Sequence, residues 1–272
     1  MEAFLDFFEK MPVWQKLIWV VSVITFFWVL EGYYAFAKAS YSKWKHAKTN
    51  LTLLAFVMII NTVFGVVTAG LFLWLKKTEF GLLHLFELPI WVELGIALLV
   101  LDFIAQYAVH YLLHKVKWMW RLHTVHHSDT HVDATTGTRH HPIDFTIREC
   151  FALIAVLITG MPIAFYLFYR ILTVFFTYFT HANIVLPKNL DKALSLVIVT
   201  PLMHKFHHHR EMPWTDTNYG NILSIWDRIF GTFLYDNPKN IAYGLDITDA
   251  QQDENLSYQL NLPFNKEVPY KK

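Results

Sequence analysis

One cysteine, Cys150, stands in 272 residues, which excludes an intramolecular disulfide framework and any cysteine-rich zinc or iron–sulfur site. Charge is scarce as well: 17% of residues are Asp, Glu, Lys or Arg, against roughly 25% in an average soluble domain. A net charge of +1 leaves no footprint for nucleic acid, because the basic residues gather only beside apolar segments. Glu2, Asp6 and Glu9 occupy the place of a signal peptide's basic region, and the apolar run behind them is too long for such a signal. Internal repeats and low-complexity segments are also missing.

Apolar residues, by contrast, make up 54% of the chain and lie in long blocks. That pattern predicts an all-α, polytopic membrane bundle. Three full spans are expected at Val13–Ala37, Leu51–Leu75 and Ile90–His110. A helical hairpin follows, with arms at Phe145–Thr159 and Pro162–Thr180 broken by Gly160-Met161-Pro162. Each arm is ~22–28 Å long, at the lower limit for crossing. Lys38, Lys43, Lys45 and Lys48 follow the first span, so the positive-inside rule puts that loop in the cytoplasm. Counting forward, every histidine cluster and the C-terminus fall on the same cytoplasmic side. Three segments are expected: membrane helices over 1–100, a histidine-motif region over 101–235, and a polar, irregular tail over 236–272.

Histidine is the unusual residue, with 13 of 15 lying between His110 and His209. His110 and His114 form HxxxH at the end of the third span. His123, His126 and His127 form HxxHH, and His204, His207 and His208 form a second. Residues at i, i+3 and i+4 share a helix face at ~5–6 Å, so each cluster aims its imidazoles one way. Imidazole suits zinc, copper, iron and nickel. Eight such ligands are too many for one ion but suit two. A single motif of this kind is often coincidence; three on one membrane face are not, since unligated imidazoles would repel when protonated and waste buried polar groups.

Other positions leave two readings open. His181 ends the second hairpin arm and is either a ninth ligand or a residue bonding last-turn carbonyls. His141, before Pro142, is a ligand or a donor behind one. His131, His140 and His209 are adjacent extras, while His46 and His84 are set apart from the site. Asp102 lies within the third span, too far along the axis to orient His110; it accepts from a histidine elsewhere or locks helices together. Glu31 and Arg170 read as helix contacts or snorkelling side chains. Asn218, Tyr219, Trp226 and Asp227 read as scaffold, with Asp227 also a candidate acceptor for a ligand histidine.

The run Asp102-x4-Tyr107-x2-His110-x3-His114 resembles the opening motif of the fatty acid hydroxylase/sterol desaturase superfamily. So do Leu122-His123-Thr124-Val125-His126-His127-Ser128, Asp133-x-Thr135-Thr136-x2-Arg139-x-His141-Pro142 and His181-Ala182-Asn183. Val199-Thr200-Pro201-x2-His204-Lys205-x-His207-His208, Asn218-Tyr219-Gly220 and Trp226-Asp227-Arg228-Ile229-Phe230-Gly231-Thr232 complete the match, over about half the chain. Tyr111 replaces the usual Arg, Asp144 the usual Glu, and His209 the usual Ser. The resemblance implies two iron ions held by histidines (zinc could replace them on isolation), O2 as co-substrate, and hydroxylation or desaturation of a lipid. Sterol, fatty acyl, carotenoid and ether-lipid enzymes share this framework. It also implies an electron donor, expected to be a separate protein because no heme-binding or ferredoxin domain fits in this length. Arg139 and Asn183 join Asp102, His141 and Asp227 as residues expected behind the ligands. Rival readings fit less well: a zinc hydrolase would want HExxH, and a metal transporter would want ligands at the bilayer midplane.

Overall fold

The first eight helical residues already carry a packing pattern: Phe4 and Phe8, one turn apart, seat against Phe168 at 5.2 and 5.1 Å. They belong to α1 (Glu2–Glu9), a short amphipathic helix in the segment the sequence reading left without an element. The computed structural model describes residues 2–38, 41–236 and 241–268; among these it is helical, with no strand.

Two long helices follow, α2 (Val13–Tyr34) and α3 (Lys43–Thr78). Both bury little: Val13, Leu17, Ile18, Val21, Ile59, Val63, Val66 and Leu73 are all exposed. Apolar surface of that extent on helices of this length suits the hydrocarbon of a bilayer. At 36 residues α3 is ~54 Å long, and its first turns absorb Lys43, Lys45 and Lys48, which the sequence reading placed in a loop. The third span is one continuous rod made of α4 (Ile90–Asp102), a π-helical stretch (Phe103–Ala108) and α5 (Val109–Lys115). A π turn inserts a residue into the helical ladder, and such turns recur at functional sites. Here it lies directly before His110.

The remaining elements are α6 (Lys117–His127), α7 (Pro142–Thr159), α8 (Ile163–His181), α9 (Lys188–Leu194), α10 (Pro201–His207), α11 (Ile225–Ile229) and α12 (Leu256–Asn261). Local chemistry sets their starts. Pro142 and Pro201 supply first-turn φ values, while His141 Nδ1 and Thr200 Oγ1 accept from the backbone N–H groups of Ile143 and Met203. Gly160 ends α7 at φ +68, and a side chain there would strike the carbonyl of Phe80.

Four segments are long and apolar enough to cross a membrane: Val13–Tyr34, Lys43–Leu85, Ile90–Lys115 and Ile163–His181. Of the expected hairpin, α8 therefore qualifies and α7 does not, because Asp144, Arg148 and Glu149 crowd its first half. The main core lies between these rods, built by Leu94, Leu101, Ala105, Ala152, Val156, Phe165 and Tyr169.

The C-terminal segment corrects the expectation of an irregular tail. Leu262 packs with Leu53 and Val125, and Gln259 accepts from Ser128 Oγ at 2.9 Å, so this segment closes over α3 and α6. Residues 237–240 and 269–272 lie outside the described residues.

Candidate metal centre

Nine histidines converge where α5, α6, α8 and α10 end, and they sort into two groups. His110, His114, His123, His127 and His207 have ring nitrogens within 4.8 Å of one another; so do His126, His181, His204 and His208. Helix geometry makes the division. On α6 the i, i+4 pair His123 and His127 turns to the first group and His126 to the second. On α10 the sense is reversed: His204 and its i+4 partner His208 join the second group, and His207 the first.

All nine are buried. Six of them turn Nδ1 outward to an acceptor; four meet carbonyls, His110 that of Tyr219 at 2.9 Å, His207 that of Thr217 at 2.7 Å, His126 that of Arg139 at 3.3 Å and His181 that of Thr177 at 2.7 Å. Two meet carboxylates instead, His123 with Asp144 at 2.9 Å and His114 with Asp216 at 3.1 Å. A ring donating from Nδ1 presents a lone pair at Nε2. Such lone pairs face one another between His110 and His123 at 3.1 Å and between His126 and His181 at 3.2 Å; His204 Nε2 lies 3.0 Å from His181 Nε2, and its Nδ1 is buried with no partner among the described residues. The Nε2 atoms of His114, His127, His207 and His208 are buried with no partner among the described residues. Opposed lone pairs and unsatisfied buried acceptors are costly without a cation between them. The donor set therefore fits two metal ions of the imidazole-binding kind.

Electrostatics agree. Burial, with the neighbouring rings and Arg148 adding to it, pushes His123 down to about 3 despite the pull of Asp144. His126, His127, His204, His207 and His208 are driven well below the ordinary histidine range, first by burial and then by neighbouring imidazoles, His140, His181 and His114 among them. They are neutral at pH 7, the state a ligand needs. Asp144 stays well below the carboxylate range; burial opposes this, but Arg148 and His123 outweigh it.

The residues expected behind the ligands divide. Arg139 serves through its carbonyl, on His126. Asp227 accepts no histidine; it takes the N–H groups of Tyr219 and Gly220 at 2.7 and 2.9 Å and so fixes the loop whose carbonyl holds His110. His141 caps α7 and contacts the Leu260 carbonyl, away from both groups. Asn183 bonds Ala37 and Glu31, again without a histidine. Asp102 binds Tyr169, Leu223 and Trp226, so of its two readings the structure favours the helix lock. Arg170 pairs with Glu149 at 2.6 Å and Glu31 with Lys43 at 2.8 Å, both helix contacts.

Among the extras, His140 stacks on His126 with ring centres 4.5 Å apart, and it shares Asp144 with His123. His46, set apart by the sequence reading, lies buried between Asp129 and Asp133 at 2.8 and 3.2 Å. Asp144 and Asp216 are the carboxylates that sequence reasoning missed as partners of clustered histidines. Asp144 had a visible signal, an acidic residue shortly after His-Pro; Asp216 had none.

The fatty acid hydroxylase family model matches residues 94–232, just over half the chain and the whole histidine region. An ornithine lipid hydroxylase of Rhizobium tropici is 29% identical over 178 residues, covering 65% of this chain and 52% of that protein. Human alkylglycerol monooxygenase is 33% identical over 150 residues, 55% of this chain and 32% of its own length. A very-long-chain aldehyde decarbonylase of Oryza sativa subsp. japonica is 30% identical over 142 residues, 51% and 53% of the two chains. The chain thus spans about half or less of these curated relatives. No solved structure matches. With nine buried imidazoles in two groups and the family pattern running through all of them, the chain belongs to the fatty acid hydroxylase family.

Proposed function

We propose that the protein is a membrane-embedded hydroxylase of lipids, with one iron ion held by His110, His114, His123, His127 and His207 and a second by His126, His181, His204 and His208. The single observation that carries this reading is the sorting of nine inward-facing Nε2 atoms into sets of five and four. Two iron ions there would supply activation of O2, using electrons from a separate donor protein.

The chain's own residues do the rest. Nδ1 acceptors fix the tautomer and direction of His110, His114, His123, His126, His181 and His207. Burial keeps the imidazoles neutral and water away. The apolar flanks of the third span and α8 present the site to the hydrocarbon layer, where a lipid chain already resides. The 101–235 segment is the catalytic unit in this reading. In this reading the histidines and the C-terminus are cytoplasmic, which the lysines around the start of α3 support through the positive-inside rule. Hydroxylation is favoured over desaturation because the Rhizobium and human relatives are named as a hydroxylase and a monooxygenase.

Elemental analysis of detergent-purified protein, with Mössbauer spectra after iron-57 enrichment, tests the metal pair. Two irons per chain are expected; no stoichiometric metal, even after reconstitution with iron, overturns the reading. Lipid profiles of membranes carrying the parent or its His126→Ala variant test the chemistry, with gain of one oxygen atom on a lipid expected only in the parent.

A further inference from the structure

The two histidine groups are not held alike. In the five-histidine group, three rings are oriented from one short loop: His114 by the Asp216 carboxylate at 3.1 Å, His207 by the Thr217 carbonyl at 2.7 Å and His110 by the Tyr219 carbonyl at 2.9 Å. The loop is itself rigidly anchored. Asn218 bonds the carbonyls of Met203 and Leu234 at 3.0 and 2.8 Å, and Asp227 takes the backbone of Tyr219 and Gly220. Asp216 and Asn218 adopt left-handed backbone, φ 60 and 53, which turns the loop tightly enough to offer three acceptors in four residues.

Carboxylates also divide between the groups. Asp216 on His114 and Asp144 on His123 both serve the five-histidine group. The acceptors for His126 and His181, in the other group, are the neutral carbonyls of Arg139 and Thr177. A carboxylate behind an imidazole draws its proton and makes the ring a stronger donor to a metal. Asp144 is fully enclosed, whereas the Asp216 side chain is 43% exposed and carries Lys115 Nζ on its other oxygen at 2.9 Å. Of the two carboxylates, only Asp216 is open to adjustment from solvent.

Building on the iron-pair reading above, we propose that Asp216 is a positioning residue that makes the five-histidine metal position electronically distinct from the four-histidine one, with Lys115 setting how strongly it does so. The carboxylate adds electron density to His114 and favours the higher metal charge at that position. Lys115 draws part of that density away.

Two variants of the full chain, loaded with iron-57, test this. Asp216→Asn keeps an acceptor for His114 and tolerates left-handed backbone, so it removes charge and little else. It is expected to bind iron ~10- to 100-fold more weakly at one position, to move one of the two Mössbauer signals, and to raise the midpoint potential of that iron alone. Lys115→Met is expected to lower the potential of the same iron. Parent-like spectra and potentials in both variants overturn the proposal, as does an equal change at both irons, which would mark Asp216 as a structural residue only. If Asp216→Asn fails to fold, Lys115→Met decides alone, because Lys115 lies at the surface. A parent protein that binds no iron pair overturns the proposed function instead, before either variant is made.

Discussion

The Arg139 guanidinium and the Asp253 carboxylate meet at 2.6 Å in the interior, 114 residues apart in sequence. Arg139 also donates to the carbonyls of Val125 and Asp253 and to Asn50 and Ser128, and its own carbonyl orients His126. The C-terminal segment is thereby wired to the four-histidine group. Asp253→Ala leaves a buried guanidinium short of its counter-charge, a loss of about 3–5 kcal/mol. A lower unfolding temperature in detergent, with iron lost first from the four-histidine position, is expected; unchanged stability would separate this segment from the site.

Removing one ligand should read out by group. His207→Ala leaves four imidazoles at its position, and His126→Ala leaves three. Both are expected to abolish turnover and lower iron content, His126→Ala the more. Full activity in either would sink the ligand assignment.

Asp102 accepts from Tyr169 Oη at 3.1 Å, Trp226 Nε1 at 2.9 Å and Leu223 N at 3.2 Å. Asp102→Ala strands three donors, each worth ~1–3 kcal/mol if left unpaired. Thermal unfolding is expected to come earlier while iron binds normally in protein that folds. Selective loss of one iron would instead make Asp102 part of the centre.

At Gly160 the obstacle is backbone shape. Alanine at φ +68 carries a left-handed penalty of ~1–2 kcal/mol, and its Cβ meets the Phe80 carbonyl as well. Gly160→Ala should lower stability by more than that penalty alone, as measured by thermal unfolding.

Acidity should weaken the metal-free protein. His123 is held at about 3 and five other histidines well below their usual range, against ~6.5 in an unfolded chain. Between those limits the unfolded chain binds more protons than the folded one, so stability falls as pH drops below ~6.5. Chelated protein is expected to melt at a lower temperature at about pH 5.5 than at about pH 7.5. Equal melting temperatures would mean the rings titrate normally.

Much of this arrangement was legible beforehand because it depends on intervals. Helical spacing marked His110, His114 and both HxxHH motifs, and the returning hairpin arm marked His181. What could not be read was contact made by backbone: the carbonyls of Thr177, Thr217 and Tyr219 carry no side-chain signature. Asp216 was hidden because its reach to His114 spans 102 residues and depends on a left-handed turn. Short polar segments misled for a related reason. The tail looked irregular because Asp253 and Gln259, polar in sequence, are buried by pairing with Arg139 and Ser128. His46 lacked a histidine neighbour at helical spacing, so its place between Asp129 and Asp133 could not be foreseen.

The opposite sorting of the two HxxHH motifs makes the interval between the two histidine groups a ruler cut from helix pitch. Both α6 and α10 reach into each position, and on each helix the step from one position to the other is the turn between an i, i+4 pair and its i+3 neighbour. Loops could then lengthen, change charge or be reshaped while that interval stays constant. On the proposed function, a chain built this way could trade one substrate for another at its periphery without re-gauging its centre.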